Sequence, residues 1–108
     1  MEENKMLKTF KTYELAVQFY RSTRSIELPY GLKAQFHRAS SSIALNLNEG
    51  WGRATMKDRA RFYSIALGSI RECQALVALE RTSFTAEQVR LRDAVGGSTY
   101  KLLTKSSP

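Results

Sequence analysis

Hydrophobic residues recur along the chain at intervals of three and four positions, and no stretch sustains an alternation of period two. This spacing gathers apolar side chains on one side of an α-helix and is not typical of β-strands. Turn-forming residues divide the pattern into four segments. The sequence therefore predicts an all-α protein with four helices.

The first predicted helix runs from Thr12, a candidate N-cap, to about Ser25, and residues 1–11 are predicted to form an N-terminal tail. Pro29 ends this segment because it pushes the preceding residue toward extended geometry, so the second helix should start near Gly31. The hydrophobic face of the first helix consists of Tyr13, Ala16, Val17, Phe19 and Tyr20.

The second predicted helix has a core-facing stripe and a glycine-rich end. Two glycines, Gly50 and Gly52, flank Trp51. Each would cost about 1 kcal/mol in a helix interior and each suits a C-terminal cap, so the helix should stop here. Its stripe consists of Leu32, Phe36, Ala39, Ile43 and Leu47.

Capping signals mark the starts of the last two helices. Thr55 and Asp58 have a capping-box spacing before the third helix, which should be the longest element at about six turns. Thr85 and Gln88 form a second box before the fourth helix. The third helix carries Phe62, Ile65, Ala66, Ser69, Ile70, Cys73, Leu76 and Val77, and the fourth carries Val89, Val95, Thr99, Leu102 and Leu103.

One bundle domain over residues 12–104 and a C-terminal tail over 105–108 follow from these boundaries. Gly96 and Gly97 lie inside the fourth helix, where they indicate close packing against a neighbouring helix or, alternatively, a break. Short connections favour an antiparallel up-down-up-down four-helix bundle. Apolar residues outside the main stripes, which a monomer would expose, predict self-association; they are Phe19, Ile26, Tyr63, Leu67 and Ile70.

Composition narrows the class of protein. The 108 residues include 17 Lys and Arg against 10 Asp and Glu, a net charge of +7, with one cysteine and one histidine. These counts exclude an internal disulfide framework and any metal site that needs several cysteines or histidines. The sequence contains no membrane-length apolar run and no apolar signal core. A cytoplasmic protein without membrane, metal, cofactor or small-molecule substrate is expected.

Basic residues suggest a nucleic-acid interface. Arg53, Lys57 and Arg61 recur every four positions, so on a helix each is rotated only about 40° from the last and all three could meet phosphates. Residues 53–61 contain four basic residues and one acidic residue. Arg21 and Arg24 are second candidates. The alternative is an ordinary solvated face, and Trp51 is available for stacking on bases.

Catalytic interpretations find little support. His37 and Ser41 share a helix face, but no third residue orients the imidazole, and Cys73 lies on an apolar stripe. Glu49 and Asp58 lie among basic residues, which indicates ion pairing. The glycines around Trp51 lack the spacing of a phosphate-binding loop. No catalytic residue is predicted.

Two segments, residues 42–53 (SIALNLNEGWGR) and 61–72 (RFYSIALGSIRE), carry a family resemblance. They are similar to the four-helix-bundle proteins encoded in 23S rRNA intervening sequences, and the resemblance covers residues 12–80. The chain departs from the family pattern at two positions: it has Asn48 where the family usually has Ala, and Ala44 where Pro is frequent. The matching residues, which the resemblance implies are structural, are Asn46, Glu49, Gly50, Gly52, Arg53, Ile65, Ala66, Gly68, Ser69 and Glu72.

The chain also resembles the accessory variability determinants of diversity-generating retroelements. That resemblance implies a basic homopentameric barrel that binds RNA or DNA, associates with a reverse transcriptase and performs no catalysis. The leading hypothesis is a non-enzymatic nucleic-acid-binding accessory protein. The alternative is an oligomeric or protein-binding scaffold that does not bind nucleic acid, and an enzyme is a third possibility.

Overall fold

Four helices account for nearly all of the chain. The structure, a computed structural model, describes the backbone of residues 2–106 and the side chains of residues 9–105. The helices are α1 (Glu2–Ser22), α2 (Tyr30–Trp51), α3 (Met56–Leu79) and α4 (Ala86–Ser106). Within the described residues there is no strand, which confirms the predicted all-α class.

Each helix packs on two others, in the cyclic order α1, α2, α3, α4. The paired positions show that neighbouring helices are antiparallel: Ser42 lies opposite Ser69, whereas Gln35, earlier on α2, lies opposite the later Glu72 on α3. The bundle measures 43 × 22 × 17 Å. The predicted up-down-up-down four-helix bundle is therefore present in the single chain.

The core lies along the bundle axis and takes most of its volume from large apolar side chains. Phe36, Ile43 and Leu47 of α2 are fully buried, as the predicted stripe requires, and Leu32 packs partly against them. Phe84, in the connection before α4, packs edge-on against Phe19 at 5.8 Å between ring centroids. The Phe84 ring from the connection between α3 and α4 thus packs on one end of the core.

The predicted start of the first helix is wrong. α1 begins at Glu2 rather than Thr12, so residues 2–11 continue the helix instead of forming a tail. Thr12 resembled an N-cap, but its side chain is fully buried and its hydroxyl is hydrogen-bonded to that of Ser98 on α4. At the other terminus α4 continues to Ser106, past the predicted end at residue 104, and Met1 and residues 107–108 lie outside the described residues.

The residues that suggested surplus apolar surface belong to the core. Phe19 and Ile26 are buried, as are Tyr63 and Ile70 on α3. Leu67 is partly buried and packs against the core. Phe19 is buried because the buried side of α1 runs through Thr12, Ala16 and Phe19. Other apolar side chains are exposed instead, namely Phe10, Tyr13, Tyr30, Leu45, Met56, Ile65, Leu79 and Tyr100.

Both capping predictions are confirmed. The Thr55 hydroxyl accepts a hydrogen bond from the Asp58 backbone N–H, at 3.1 Å. Thr85 and Gln88 form a reciprocal box, with bonds of 2.9 Å and 3.1 Å between each backbone N–H and the other's side-chain oxygen. The amide of Gln88 also donates to the Ser22 carbonyl, at 2.8 Å, and ties α4 to the end of α1.

Two glycine predictions require correction. Gly96 and Gly97 lie in an unbroken α4, and no atom of another element comes within 4 Å of where their Cβ atoms would be. They therefore mark neither a break nor close packing inside the bundle. Gly52 caps α2 with φ −76°, an ordinary right-handed conformation, so its role is not left-handed capping.

Buried polar side chains line the seam between α1 and α4 as well as the seam between α2 and α3. Thr12 and Thr99 are buried in the first seam, and Ser40 and Ser69 are buried on α2 and α3. The Thr99 hydroxyl has no hydrogen-bond partner among the described residues. The contact between α2 and α3 is the most extensive in the bundle.

Candidate nucleic-acid interface

Four basic residues, Arg53, Lys57, Arg59 and Arg61, form what we call the basic patch, at the connection between α2 and α3. The Thr55 cap starts α3 immediately before Lys57, so Lys57 and Arg61 lie on successive turns of one helix face. Arg53 precedes the helix. Of the three residues in the predicted row, Lys57 and Arg61 therefore lie on α3, and Arg53 lies in the connection.

Arg53 is not a free cation. Its guanidinium pairs with the Glu49 carboxylate at 2.9 Å and lies over the Phe62 ring, 4.5 Å from the centroid. The pair is partly exposed, so its contribution to stability is small. The charge of Arg53 is therefore largely offset by Glu49.

Arg59, which the four-residue spacing did not select, turns toward the bundle. Its Nε donates to the Arg53 carbonyl at 2.9 Å, and its guanidinium lies 5.2 Å from the centroid of the Trp51 ring. The contacts of Arg53 and Arg59 thus stabilise the connection between α2 and α3.

Lys57 and Arg61 remain as available cations. Both are exposed, and neither has an acidic partner among the described side chains. The Arg61 guanidinium lies 4.8 Å from the Phe62 centroid, which limits the positions it samples. Within the basic patch, Lys57 and Arg61 can therefore meet a phosphate without first breaking an ion pair.

Arg21 and Arg24, the second candidates, lie at the other end of the bundle. Arg21 is in the last turn of α1, and Arg24, just beyond it, lies over the Tyr20 ring at 5.7 Å. Because α1 is antiparallel to α2, these residues are far from the basic patch along a molecule 43 Å long. The structure does not bring the two groups of candidates onto one surface.

Net charge differs between the two halves of the bundle. When each helix is divided at its midpoint, the half that contains the basic patch holds seven basic and two acidic residues among the described side chains, and the other half holds eight and six. We call the first half the basic end. Most of the net charge of +7 therefore belongs to it.

The motif residues join α2 to α3. The Asn46 amide donates to the Ser42 carbonyl at 2.8 Å and to its hydroxyl at 2.9 Å, and the Ser69 hydroxyl lies 3.1 Å from the hydroxyl of Ser42. The Gln35 amide donates to the Glu72 carboxylate at 3.3 Å. These polar side chains hold the register of the two helices.

Among the motif glycines, Gly50 and Gly68 have different surroundings. A Cβ atom at Gly50 would lie 2.7 Å from the Tyr63 ring, so α2 and α3 approach each other closely there. The pair Gly68 and Ser69 inside a helix predicts the close approach of a partner helix. Gly68 is exposed, however, and no atom of another element lies within 4 Å of its Cβ position, so within the single chain this prediction is wrong.

The candidate catalytic residues do not assemble. The Ser41 hydroxyl donates to the Arg38 carbonyl rather than to His37, whose buried Nδ1 has no partner among the described residues. Burial, followed by the charges of Lys33 and Arg24, lowers the pKa of His37. The structure therefore offers no hydrogen-bonded nucleophile and base here.

Cys73 is buried, as its position on the α3 stripe predicted. Burial and, to a smaller extent, Glu72 raise the pKa of its thiol to about 12. No group of three potential metal ligands occurs in the described part of the chain. None of the described helices is both long and apolar enough to cross a membrane.

Sequence reasoning missed two aromatic residues beside the basic patch. Phe10 and Tyr13 of α1 join Trp51 of α2 around a cleft at the basic end. The predicted tail over residues 1–11 includes Phe10, and the predicted apolar face of the first helix includes Tyr13. Once α1 includes residue 10, the spacing of Phe10, Tyr13 and Val17 at three and four positions places them on one face, and this is the signal that links Phe10 to Tyr13.

Comparison with known proteins agrees with this architecture. A family model described as 23S rRNA-intervening sequence protein matches residues 2–93. A crystal structure of a protein of unknown function from the S23 ribosomal protein family of Bacteroides thetaiotaomicron is similar in fold, with a TM-score of 0.54 and 18% sequence identity. The match covers 92% of this chain and 91% of that one. A comparison with curated proteins finds no match.

Proposed function

The chain belongs to the 23S rRNA-intervening sequence protein family, and on that premise we propose that it is a non-enzymatic protein that binds RNA or DNA through the basic patch. The observation that carries the proposal is the pair of exposed cations, Lys57 and Arg61, without acidic partners among the described side chains. Arg53 and Arg59 hold the connection that presents them. Phosphate contacts of this kind are sequence-independent and sensitive to salt.

A single chain offers few such contacts, so the proposal includes assembly into a homo-oligomeric ring. A symmetric ring would repeat the basic patch around its axis, and many weak phosphate contacts would together give tight binding. Ile65 and Leu79, the latter 71% exposed, lie on the outer side of α3 together with open Gly68. This exposed apolar side suits a second copy of the chain. Two parts of the proposal rest on the resemblance to accessory variability determinants: a ring of five copies, and a reverse transcriptase as protein partner.

Salt-dependent binding tests the proposal. Labelled single-stranded and duplex RNA and DNA would be titrated at several salt concentrations between about 50 and 200 mM, with fluorescence anisotropy as the readout. The double variant Lys57→Ala/Arg61→Ala should reduce the slope of log affinity against log salt by about 1.4–1.8 per protomer that contacts the strand. No binding to any of the nucleic acids at the lowest salt would overturn the proposal.

A matched control separates a local effect from net charge. Arg38 and Arg71 are exposed residues in the other half of the bundle, and changing both to Ala removes the same charge. If this control weakens binding as much as the patch variant does, the patch is not the interface.

The exposed side of α3 also favours the second candidate, a scaffold that assembles without binding nucleic acid. Light scattering distinguishes the oligomeric states, since a monomer has a mass of 12.3 kDa and a pentamer five times that. Assembly that persists while every nucleic acid fails to bind would favour the scaffold.

A further inference from the structure

An open cleft lies between α1 and α2, at the basic end of the bundle. Its volume is about 340 Å³, within the range of small-molecule sites. Leu47, fully buried, forms its floor. Phe10 is 56% exposed and Tyr13 36% exposed, so both aromatic rings can be reached from solvent. We call this the aromatic cleft; it is lined by Thr9, Phe10, Tyr13, Leu47, Asn48 and Trp51.

The Trp51 ring is held in place before anything binds. The Arg59 guanidinium lies over it, and the hydrogen bond from Arg59 to the Arg53 carbonyl fixes that guanidinium. A small cavity of about 30 Å³, lined in part by Trp51, Arg59 and Tyr63, lies on the inner side. An aromatic surface fixed in this way loses little conformational freedom on binding a flat ring.

Asn48 supplies a polar group at the same cleft. It is exposed, and its side-chain amide makes no hydrogen bond with the described residues, although its carbonyl accepts from Gly52 N–H at 3.3 Å. A free carboxamide offers a donor and an acceptor side by side. The edge of a nucleobase presents the complementary pair, and an unpaired base presents it in full.

Positive charge borders the cleft on one side, because the guanidinium of Arg59, a member of the basic patch, lies 5.2 Å from the centroid of the Trp51 ring. On the other side a second recess of about 360 Å³ shares Phe10 and Tyr13 with the cleft and runs along α1 to Arg21. It spans about 16 Å of helix, and Val17, Gln18 and one acidic residue, Glu14, complete its lining. A strand that crosses the cleft would therefore meet the basic patch on one side, whereas Arg21 lies at the far end of the second recess.

We propose that the aromatic cleft takes an unpaired base of single-stranded RNA or DNA. The base would stack on the Phe10, Tyr13 and Trp51 side chains and hydrogen-bond to Asn48, while the adjoining phosphates contact the basic patch. The proposal rests on the proposed function, since the patch supplies the electrostatic attraction. Duplex bases are stacked inside their helix and cannot enter, so the cleft selects single strands.

Trp51 provides a reporter inside the site because it is the only tryptophan of the chain. An oligonucleotide and an abasic strand of the same length and backbone would be titrated against the intact protein, as RNA and as DNA. The intact strand should quench the Trp51 fluorescence, and the abasic strand should bind less tightly and leave the fluorescence unchanged. Phe10→Ala and Tyr13→Ala should each weaken binding of the intact strand by about 5-fold or more.

The exposed Tyr30, at the opposite end of the bundle, supplies the matched control. Tyr30→Ala should leave the affinities for the intact strand and for the abasic strand unchanged. Equal affinity for the two strands, with unchanged Trp51 fluorescence, would overturn the cleft proposal and leave the basic patch as the interface. Failure of both strands to bind at low salt would overturn the proposed function and the cleft together. Circular dichroism of each variant confirms that these surface changes preserve the fold.

Discussion

Replacing Gly50 by alanine tests the closest approach between α2 and α3. The added Cβ would lie 2.7 Å from Cε1 and 3.0 Å from Cδ1 of Tyr63, and 3.2 Å from Cβ of Phe62. Carbon atoms normally rest about 3.5–4.0 Å apart, so the methyl group overlaps the ring by about 0.8 Å or more. Tyr63 is 2% exposed and its ring cannot swing into solvent. The two helices must therefore separate locally.

Two effects of opposite sign determine the size of the change. Overpacking in a close-packed core costs about 1–3 kcal/mol. Alanine in a helix is favoured over glycine by about 0.5–1 kcal/mol. We expect Gly50→Ala to reduce the free energy of unfolding by about 1–2 kcal/mol, which corresponds to a fall in Tm of several degrees, about 4–8 °C per kcal/mol.

Gly68→Ala is the matched control, because nothing lies within 4 Å of its Cβ position. This change should stabilise the protein by up to about 1 kcal/mol through helix propensity alone. Urea unfolding followed by circular dichroism measures both variants, and light scattering checks that neither acts through assembly. If Gly50→Ala is as stable as the unmodified protein, the close approach between α2 and α3 is not a constraint and the reasoning fails.

Two further predictions concern buried groups. Burial raises the pKa of Cys73 from its ordinary 9.0 to about 12, so alkylating reagents should label this thiol only after the protein unfolds. Labelling of the native protein as fast as that of the unfolded protein would contradict this prediction. The same shift contributes stability that is present below pH 9 and is lost as the pH rises toward about 12, which urea unfolding across that interval would detect. Gln88→Ala removes the hydrogen bonds to Thr85 and Ser22 and should lower the free energy of unfolding, measured with urea, by about 1–2 kcal/mol. Gln18→Ala, at an exposed position, should lower it little. Equal losses of stability in the two variants would rule out the capping role of Gln88.

The number and type of helices could be predicted because local signals and periodicity agree. Pro29, Thr55 and the Thr85–Gln88 box each mark a boundary that depends on a few adjacent residues. The α2 stripe is buried as predicted. Where a local signal conflicted with a tertiary contact, as at Thr12, the tertiary contact determined the structure: its hydroxyl bonds to Ser98, 86 residues away in sequence.

The candidate interface was predictable only in part. Four-residue spacing places Lys57 and Arg61 on one face, and the ion pairing predicted for Glu49 is confirmed by its contact with Arg53. The spacing cannot show that Arg59 turns toward Trp51. That outcome depends on which aromatic groups the neighbouring turns bring within reach. The aromatic cleft was invisible for a similar reason, since α1 and α2 must first pack before its lining residues meet.

The seam between α1 and α4 also bears on the order in which the bundle unfolds. The contact between α2 and α3 is the most extensive in the bundle, whereas the seam between α1 and α4 contains a buried hydroxyl, that of Thr99, without a partner among the described residues. Local opening follows the weakest packing in a domain. We therefore expect the terminal helices to open first, and we expect the central hairpin, which carries the motif and the basic patch, to retain its amide protons longest in hydrogen exchange.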